Sequence, residues 1–424
     1  MPRPKSKIVN RKSKMNMNHK LLSIAALCAT LAACNNTETN VTDRIELTET
    51  VDNEAFAANI ESIDVLNLQM DDDWTFEDGM EFALSDNYLY MVCGEKLRQT
   101  CHSLQSGEKL TGRMLRGNGP GELNGLGSMF CVGDTLFVLD GMGIVRQYDH
   151  NGRFLGKKHD FGDTARIRSM FRLQNGYYVL VRDDYQVDSA CNQVLIADQS
   201  FNIKAEHIAL PLPRVTIMIV GMGKSYCASG NTTRFFFYGN MDNHLYSLCG
   251  DSEQCIELGL PNPQTAEKYL EASNDIMRTH TMDAFNKLFE LDGFFGNLCE
   301  SGRFVSFRYQ LDKKRHVAMI DKRTNSVVSL YSDGDDEGNV PNYLYRIFST
   351  MEVLYSDGEY IYAKCKNACV AKLFDGNDDL LDARLKKTQA QFRVYLERNA
   401  AYIKDLEEEE RDAANVILKI KLKD

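Results

Sequence analysis

Proline is scarce (8 in 424 residues), tryptophan occurs once, and apart from one ten-residue stretch no long apolar run exists. So few prolines, with 43% hydrophobic residues, exclude disorder for most of the chain and leave material for a large packed core. The missing apolar runs exclude a multispan helical membrane protein. Positive charge is also short, 49 Lys and Arg against 60 Asp and Glu, so a basic face for nucleic acid is not expected. No C-x-x-C occurs, which removes the usual zinc modules. H-E-x-x-H and G-x-S-x-G are absent as well. Gly223-Lys224-Ser225 imitates the end of a P-loop, but Met218 stands where that loop needs glycine. Asp333-Gly334-Asp335-Asp336-Glu337-Gly338 opens like a calcium loop, yet Pro341 holds its ninth position and Leu344 the twelfth. It reads as a solvated acidic turn. No cofactor is expected, calcium being the one metal considered.

What is present begins with an export signature. Seven cations and no acid lie in residues 3–20, followed by the apolar run Leu21 to Thr30 and then Leu31-Ala32-Ala33-Cys34. The run has the length of a signal-peptide core and is too short to span a bilayer. Small residues before a cysteine at this point resemble a bacterial lipobox. The resemblance implies cleavage before Cys34, lipidation of its thiol and a chain held in the cell envelope by acyl groups, at the outer membrane on a face left open. The alternative is an ordinary secretory signal with Cys34 a chance thiol. Removing residues 1–33 leaves 42 cations against 60 acids, a net charge of −18. A surface that acidic does not hold to an anionic bilayer, so the acyl chains must do so. Residues 34–56 are polar and read as a flexible tether. Ten of the twelve cysteines follow Cys34. They are too scattered for a disulfide framework, and read as buried thiols filling apolar space.

From about residue 57 the chain repeats one block six times: a turn, a strand, a loop and a second strand. The pairs are Asp86–Val92 with Thr100–Leu104, Gly133–Asp140 with Ile144–Asp149, and Asn175–Val181 with Gln193–Asp198. Three more follow: Arg234–Tyr238 with His244–Leu248, Arg303–Arg308 with His316–Asp321, and Asp357–Ala363 with Ala368–Asp375. Short strands bounded by Asn-Gly, Asp-Gly and Ser-Gly are hairpin grammar. A period of roughly 40–70 residues repeated six times predicts an all-β, six-bladed β-propeller over residues 57–424. Radial closure explains how so long a chain avoids exposed sheet edges.

Arg116-Gly117-Asn118-Gly119-Pro120-Gly121-Glu122 lies between the first two blocks. With the Leu136-to-Leu155 stretch that follows, it resembles the GxGPGE signature of six-bladed propeller lipoproteins related to TolB-like and NHL propellers. That resemblance implies a fold and an address rather than a reaction. The residues themselves allow two roles: a tight passage from one blade to the next, or a nest of backbone N–H groups for an anion. Two segments break the repeat as expected helices, 264–290 and 378–413. The second carries Leu381, Leu385, Phe392, Leu396, Ile403 and Leu406 as one apolar stripe, expected to pack on its own domain. Alternating strands at Ile60–Leu68 and Val416–Leu422 are placed to close the ring. Two function classes stay open: a binding or scaffolding module for an envelope protein, glycan or peptide, and a hydrolase or lyase acting at the central channel.

Overall fold

The strand pairs read from the sequence are the middle strands of a ring of sheets. A computed structural model describes residues 41–424, apart from 48–49, 71–79, 94–96, 163–166, 183–191, 210–224, 237–243, 251, most of 261–291, 333–339, 373 and 375–381. The described chain opens with β1 (Val41–Glu46), α1 (Asn53–Ala58) and β2 (Ile60–Val65). Blade one is β3 (Met80–Leu84), β4 (Tyr88–Cys93), β5 (Arg98–Ser103) and β6 (Lys109–Met114). Blade two is β7 (Ser128–Val132), β8 (Thr135–Leu139), β9 (Ile144–Tyr148) and β10 (Phe154–Asp160). Blade three is β11 (Ile167–Arg172), β12 (Tyr178–Arg182), β13 (Asn192–Ala197) and β14 (Ile203–Ala209). Blade four is β15 (Tyr226–Ser229), β16 (Thr232–Phe235), β17 (His244–Cys249) and β18 (Ser252–Gly259). Blade five is β19 (Gly293–Ser301), β20 (Phe304–Leu311), β21 (Lys314–Asp321) and β22 (Val327–Leu330). After α2 (Val340–Thr350), blade six holds β23 (Glu352–Ser356), β24 (Ile361–Lys366) and β25 (Asn415–Leu422), with β2 as its outer strand. The six-bladed propeller expected from the repeats is the fold.

Burial explains why the middle strands were legible. Each lies between two neighbouring blades, so both faces are covered: β4, β8, β13 and β20 are buried along nearly their whole length. Such strands read as continuous apolar runs. Outer strands face water, and β10 (FLGKKHD) is largely exposed. The turns are set by strand-ending aspartates. Asp149 Oδ1 accepts from the N–H of Asn151 and Arg153, each at 2.9 Å, and Asp198 Oδ1 accepts from Ser200 and Asn202 in the same way. Both residues sit between the third and fourth strands of their blades, and Asp321, the last residue of the third strand in blade five, accepts from Arg323. The side chain satisfies turn donors that the ladder cannot reach.

Ring closure is non-covalent, between the two ends of the propeller. Strand β2 pairs antiparallel with β25, Ile63 opposite Ile420 and Val65 opposite Leu418. Helix α4 (Ala383–Arg398) lies over β2, where Gln391 accepts from Val65 N–H at 3.1 Å and donates to Asp64 at 2.9 Å.

Four sequence readings need correction. Within the polar stretch expected as a tether, residues 41–47 and 50–56 form a strap. β1 runs parallel to β18 on the rim of blade four, Ser329 N–H and O bond Thr50 and Asp52 on blade five, and β2 completes blade six. Sparse apolar residues carry it, Ile45 and Leu47 being 5% and 1% exposed. In the sixth block, residues expected as a second strand form α3 (Asn367–Lys372), because β25, arriving some fifty residues later, already pairs with β24. The segment 378–413 is several helices rather than one: α4 stops at Asn399, then come α5 (Ala400–Lys404) and α6 (Glu408–Ala413). Asn399 ends α4 because its carboxamide bonds Leu68 O at 3.0 Å and Met70 N–H at 2.8 Å. Helices are also not confined to the two expected segments, since α1 and α2 lie outside them. In 264–290 the described residues Glu271, Asp275, Arg278, Thr279, Asp283 and Lys287 are helical. The apolar stripe packs as expected on its own domain, with Leu385 and Phe392 in the core and Leu396 and Ile403 against it; Leu381 lies outside the described residues.

Candidate functional site

Strand direction alternates within each blade, so the turns joining first to second strands gather on one end of the ring. The other end holds α2, which leads from blade five to blade six, and α3 to α6, which join the second and third strands of blade six. At the axis, inner strands of adjacent blades diverge too far to form a ladder, leaving N–H and C=O groups to be satisfied otherwise. Side chains with both a donor and an acceptor do this. Ser128 Oγ on β7 donates to Met170 O at 3.2 Å and accepts from Met170 N–H at 2.7 Å on β11. Asn297 on β19 donates to Met351 O at 2.6 Å and accepts from Val353 N–H at 3.3 Å. Ser356 on β23 repeats the exchange with Glu300 at 2.9 and 3.0 Å.

These inner strands enclose a cavity of about 610 Å³ to which all six blades contribute. Its wall is mixed, and the apolar part comes from Met129, Phe130, Met170, Phe171, Leu298 and Val353. Polar groups make up nearly as much of it: Glu81 from blade one, Ser128 from blade two, Arg172 and Gln174 from blade three, Ser356, Asp357 and Glu359 from blade six, and Asp424. Gln174, Gly230, Gly302 and Gly358 lie in first-to-second-strand turns, so the cavity reaches that end of the ring. There the turns lean together, Gly302 N–H donating to Gly358 O at 2.8 Å and Gln174 N–H to Gly230 O at 3.0 Å.

The wall offers no activated nucleophile among the described residues. Burial pushes the thiols of Cys131 and Cys227 well above their ordinary range, which keeps them protonated at neutral pH. Asp357 is occupied as a turn residue, accepting from Glu359 and Tyr360 N–H at 2.9 and 2.7 Å. No histidine contributes to the wall, and among the described residues no three of His, Cys, Asp and Glu gather as metal ligands. Behind it a buried ionic cluster joins blades four and five. Glu300 takes Arg234 Nε at 2.8 Å and the Lys322 ammonium, while Arg234 also donates to Ser247 Oγ.

The glycine segment after β6 is placed on the opposite end of the ring, as the passage from blade one to blade two. Arg116 and Leu123 form a bridge across its neck, and Glu122 N–H donates to Gly119 O at 3.0 Å. The Glu122 carboxylate folds into the loop and accepts from Gly119 N–H at 2.8 Å. Asn118 accepts from Asn124, and Gly121 O accepts from the Tyr148 hydroxyl. A Cβ at Gly117 would lie 2.0 Å from Glu122 Oε2, and one at Gly121 would lie 2.6 Å from Phe154 Cβ. The loop therefore supplies its own anion, and Pro120 turns it. This geometry supports the blade-passage role and leaves the axial cavity as the candidate site. Leu31, Ala32, Ala33 and Cys34, the acidic turn 333–338, and Gly223 and Lys224 lie outside the described residues. The wall residues were not foreseen as a site. Each reads as an ordinary strand residue, and only their convergence from six blades makes a cavity.

No protein-family model and no curated protein matches the chain by sequence. By structure it is similar to a Bacteroides fragilis protein described as exported, at 15% identity and a TM-score of 0.59, over 91% of this chain and all of that one. A Bacteroides vulgatus member of a domain family of unknown function aligns at 10% identity and a TM-score of 0.46, over 86% of this chain and 98% of that one. BamB from Moraxella catarrhalis aligns at 10% identity and a TM-score of 0.33, over 65% and 76%. The first of these shares the propeller fold.

Proposed function

We propose that this chain is a lipid-anchored binding or scaffolding protein of the cell envelope, attached through Cys34, whose propeller receives its ligand at the axial cavity. The observation that carries the binding role is the cavity itself: six blades converge on a wall of apolar and polar side chains in similar measure, with its thiols held protonated. Such a lining suits a ligand with both apolar and polar groups, for example a peptide segment of an envelope protein. The exported character described for the similar Bacteroides fragilis protein supports the same address here. The GNGPGE segment supports kinship with the TolB-like and NHL-like propeller lipoproteins, and Glu122 explains why that segment needs both its glycines and its acid.

The test places a photo-crosslinking amino acid at Gln174, on the cavity rim, in the full chain in cells. Crosslinked species should form in the otherwise unaltered protein and disappear when Ala228→Trp fills the cavity. Crosslinks that persist unchanged in the filled variant would place binding elsewhere.

A further inference from the structure

A second centre of chemistry lies on the opposite end of the ring from the cavity turns, where β24 passes into α3. Cys365 is the next-to-last residue of β24 and Cys369 the third residue of α3. Their thiols hydrogen-bond each other. The Thr350 hydroxyl, at the end of α2, donates to Arg346 O at 2.5 Å and lies 3.7 Å from Cys369 Sγ. Arg346 on α2 and Lys372 in the last turn of α3 add positive charge beside the same sulfur. The two thiols differ in access: Cys365 is 2% exposed within the core, whereas Cys369 is half-buried at its edge.

We infer that Cys365 and Cys369 form a thiol–disulfide exchange centre, with Cys369 the attacking thiol and Cys365 the resolving one, acting on disulfide-bearing substrates. The surroundings set this division of labour. The Cys365 thiol, then the Lys372 and Arg346 cations, favour a thiolate on Cys369 and draw that thiol below its ordinary range. Cys365, donating to that sulfur and buried, is pushed up. The other perturbed thiols behave oppositely, burial and the Glu300 charge holding Cys299 up at about 12. A low-lying, reachable thiolate beside a protonated partner is what exchange requires. Cys93 and Cys101 do not share this arrangement, since Cys93 stands opposite Arg98 and Cys101 opposite Tyr90.

The chemistry closes without any other redox agent. Cys369 thiolate attacks one sulfur of the substrate disulfide, forming a mixed disulfide and expelling the other sulfur as a thiolate. Cys365 then gives its proton to that departing thiolate and attacks Cys369 Sγ. The Cys365–Cys369 bond forms, the mixed disulfide breaks, and the second substrate sulfur leaves as a thiolate that takes its proton from water to complete the dithiol. The pair is oxidised by two electrons and the substrate disulfide is reduced by two.

The test equilibrates the purified chain with glutathione and glutathione disulfide at graded ratios, traps it by acid and maps the thiols by mass spectrometry. Oxidising ratios should remove two hydrogens from the peptide holding Cys365 and Cys369, with no glutathione retained. Cys365→Ser should instead accumulate glutathione on Cys369, and Cys369→Ser should leave Cys365 reduced. In the unaltered reduced chain, native alkylation at pH 7 should modify Cys369 severalfold faster than the exposed Cys249, a measurement that needs no variant. Both thiols remaining reduced at every ratio, or alkylation of Cys369 no faster than Cys249, would overturn the inference.

Discussion

Gly358, in the turn between β23 and β24, touches Ser229 at the end of β15: a Cβ on Gly358 would lie 2.0 Å from Ser229 Oγ and 3.2 Å from its Cα. The contact joins blades six and four, which are not neighbours in the ring, and it narrows the cavity at the turn end. Gly358 also has a φ of +90°, a conformation side chains disfavour. Gly358→Ala should therefore cost about 2–4 kcal/mol, from strain and overlap together. Thermal unfolding checks it. The double variant with Ser229→Gly should recover part of the loss, as expected for residues in contact; equal losses in both would show that only the backbone conformation matters.

The strap makes a second prediction, opposite to what a tether would do. Deleting residues 41–52 removes a paired strand together with the buried Ile45 and Leu47, each worth about 1.5–3 kcal/mol, and uncovers the cluster they share with Leu258 and Leu260. A drop in the unfolding midpoint in urea of about 3–5 kcal/mol equivalent is expected. Deleting 415–424 should be worse, since β25 pairs on both sides, with β24 and with β2. That truncation should yield no soluble protein, because whole-domain stability is only about 5–15 kcal/mol.

Arg234→Met should destabilise the chain by about 3 kcal/mol, because it leaves the buried Glu300 with Lys322 alone. Replacing Arg234, Glu300 and Lys322 together by apolar residues of similar volume should cost much less than the single change. Chemical denaturation of the two variants decides between an ionic cluster that matters by balance and one that matters by strength.

His316 supplies a pH dependence. It is 6% exposed and stacked between Tyr309 and Tyr331, with ring centroids 4.9 and 4.7 Å away. Burial, then the nearby Lys314, lower it from 6.5 to about 4. Between those values the unfolded chain binds a proton that the folded chain refuses. Stability contributed above pH 6.5 is thus lost as pH falls toward 4, by up to about 3 kcal/mol. His316→Phe should flatten that part of the stability–pH curve, measured by urea unfolding at stepped pH. An unchanged slope would mean that other groups carry it.

The anchor is tested by Cys34→Ala. The variant should lose its lipid and move from the membrane to the soluble fraction of the envelope. Persistence in washed membranes would show either that the lipobox reading is mistaken or that another anchor operates.

The middle strands, the turn chemistry and the closing of the ring by Ile60–Val65 and Asn415–Leu422 were determined by the sequence itself. Strands covered on both faces must be apolar throughout, and turns must use residues such as Asp149 and Asp198 that satisfy nearby N–H groups. These are constraints within a few residues, so they show in a short window. Other features depend on partners far along the chain: Thr50 bonds Ser329 across 279 positions, and Ser128 bonds Met170 across 42. Residues 367–372 became a helix rather than a strand because β25 took the place beside β24. The cavity is the extreme case. Its wall draws single residues from six blades, each chosen locally as a strand residue, and only closure of the ring brings them to one axis.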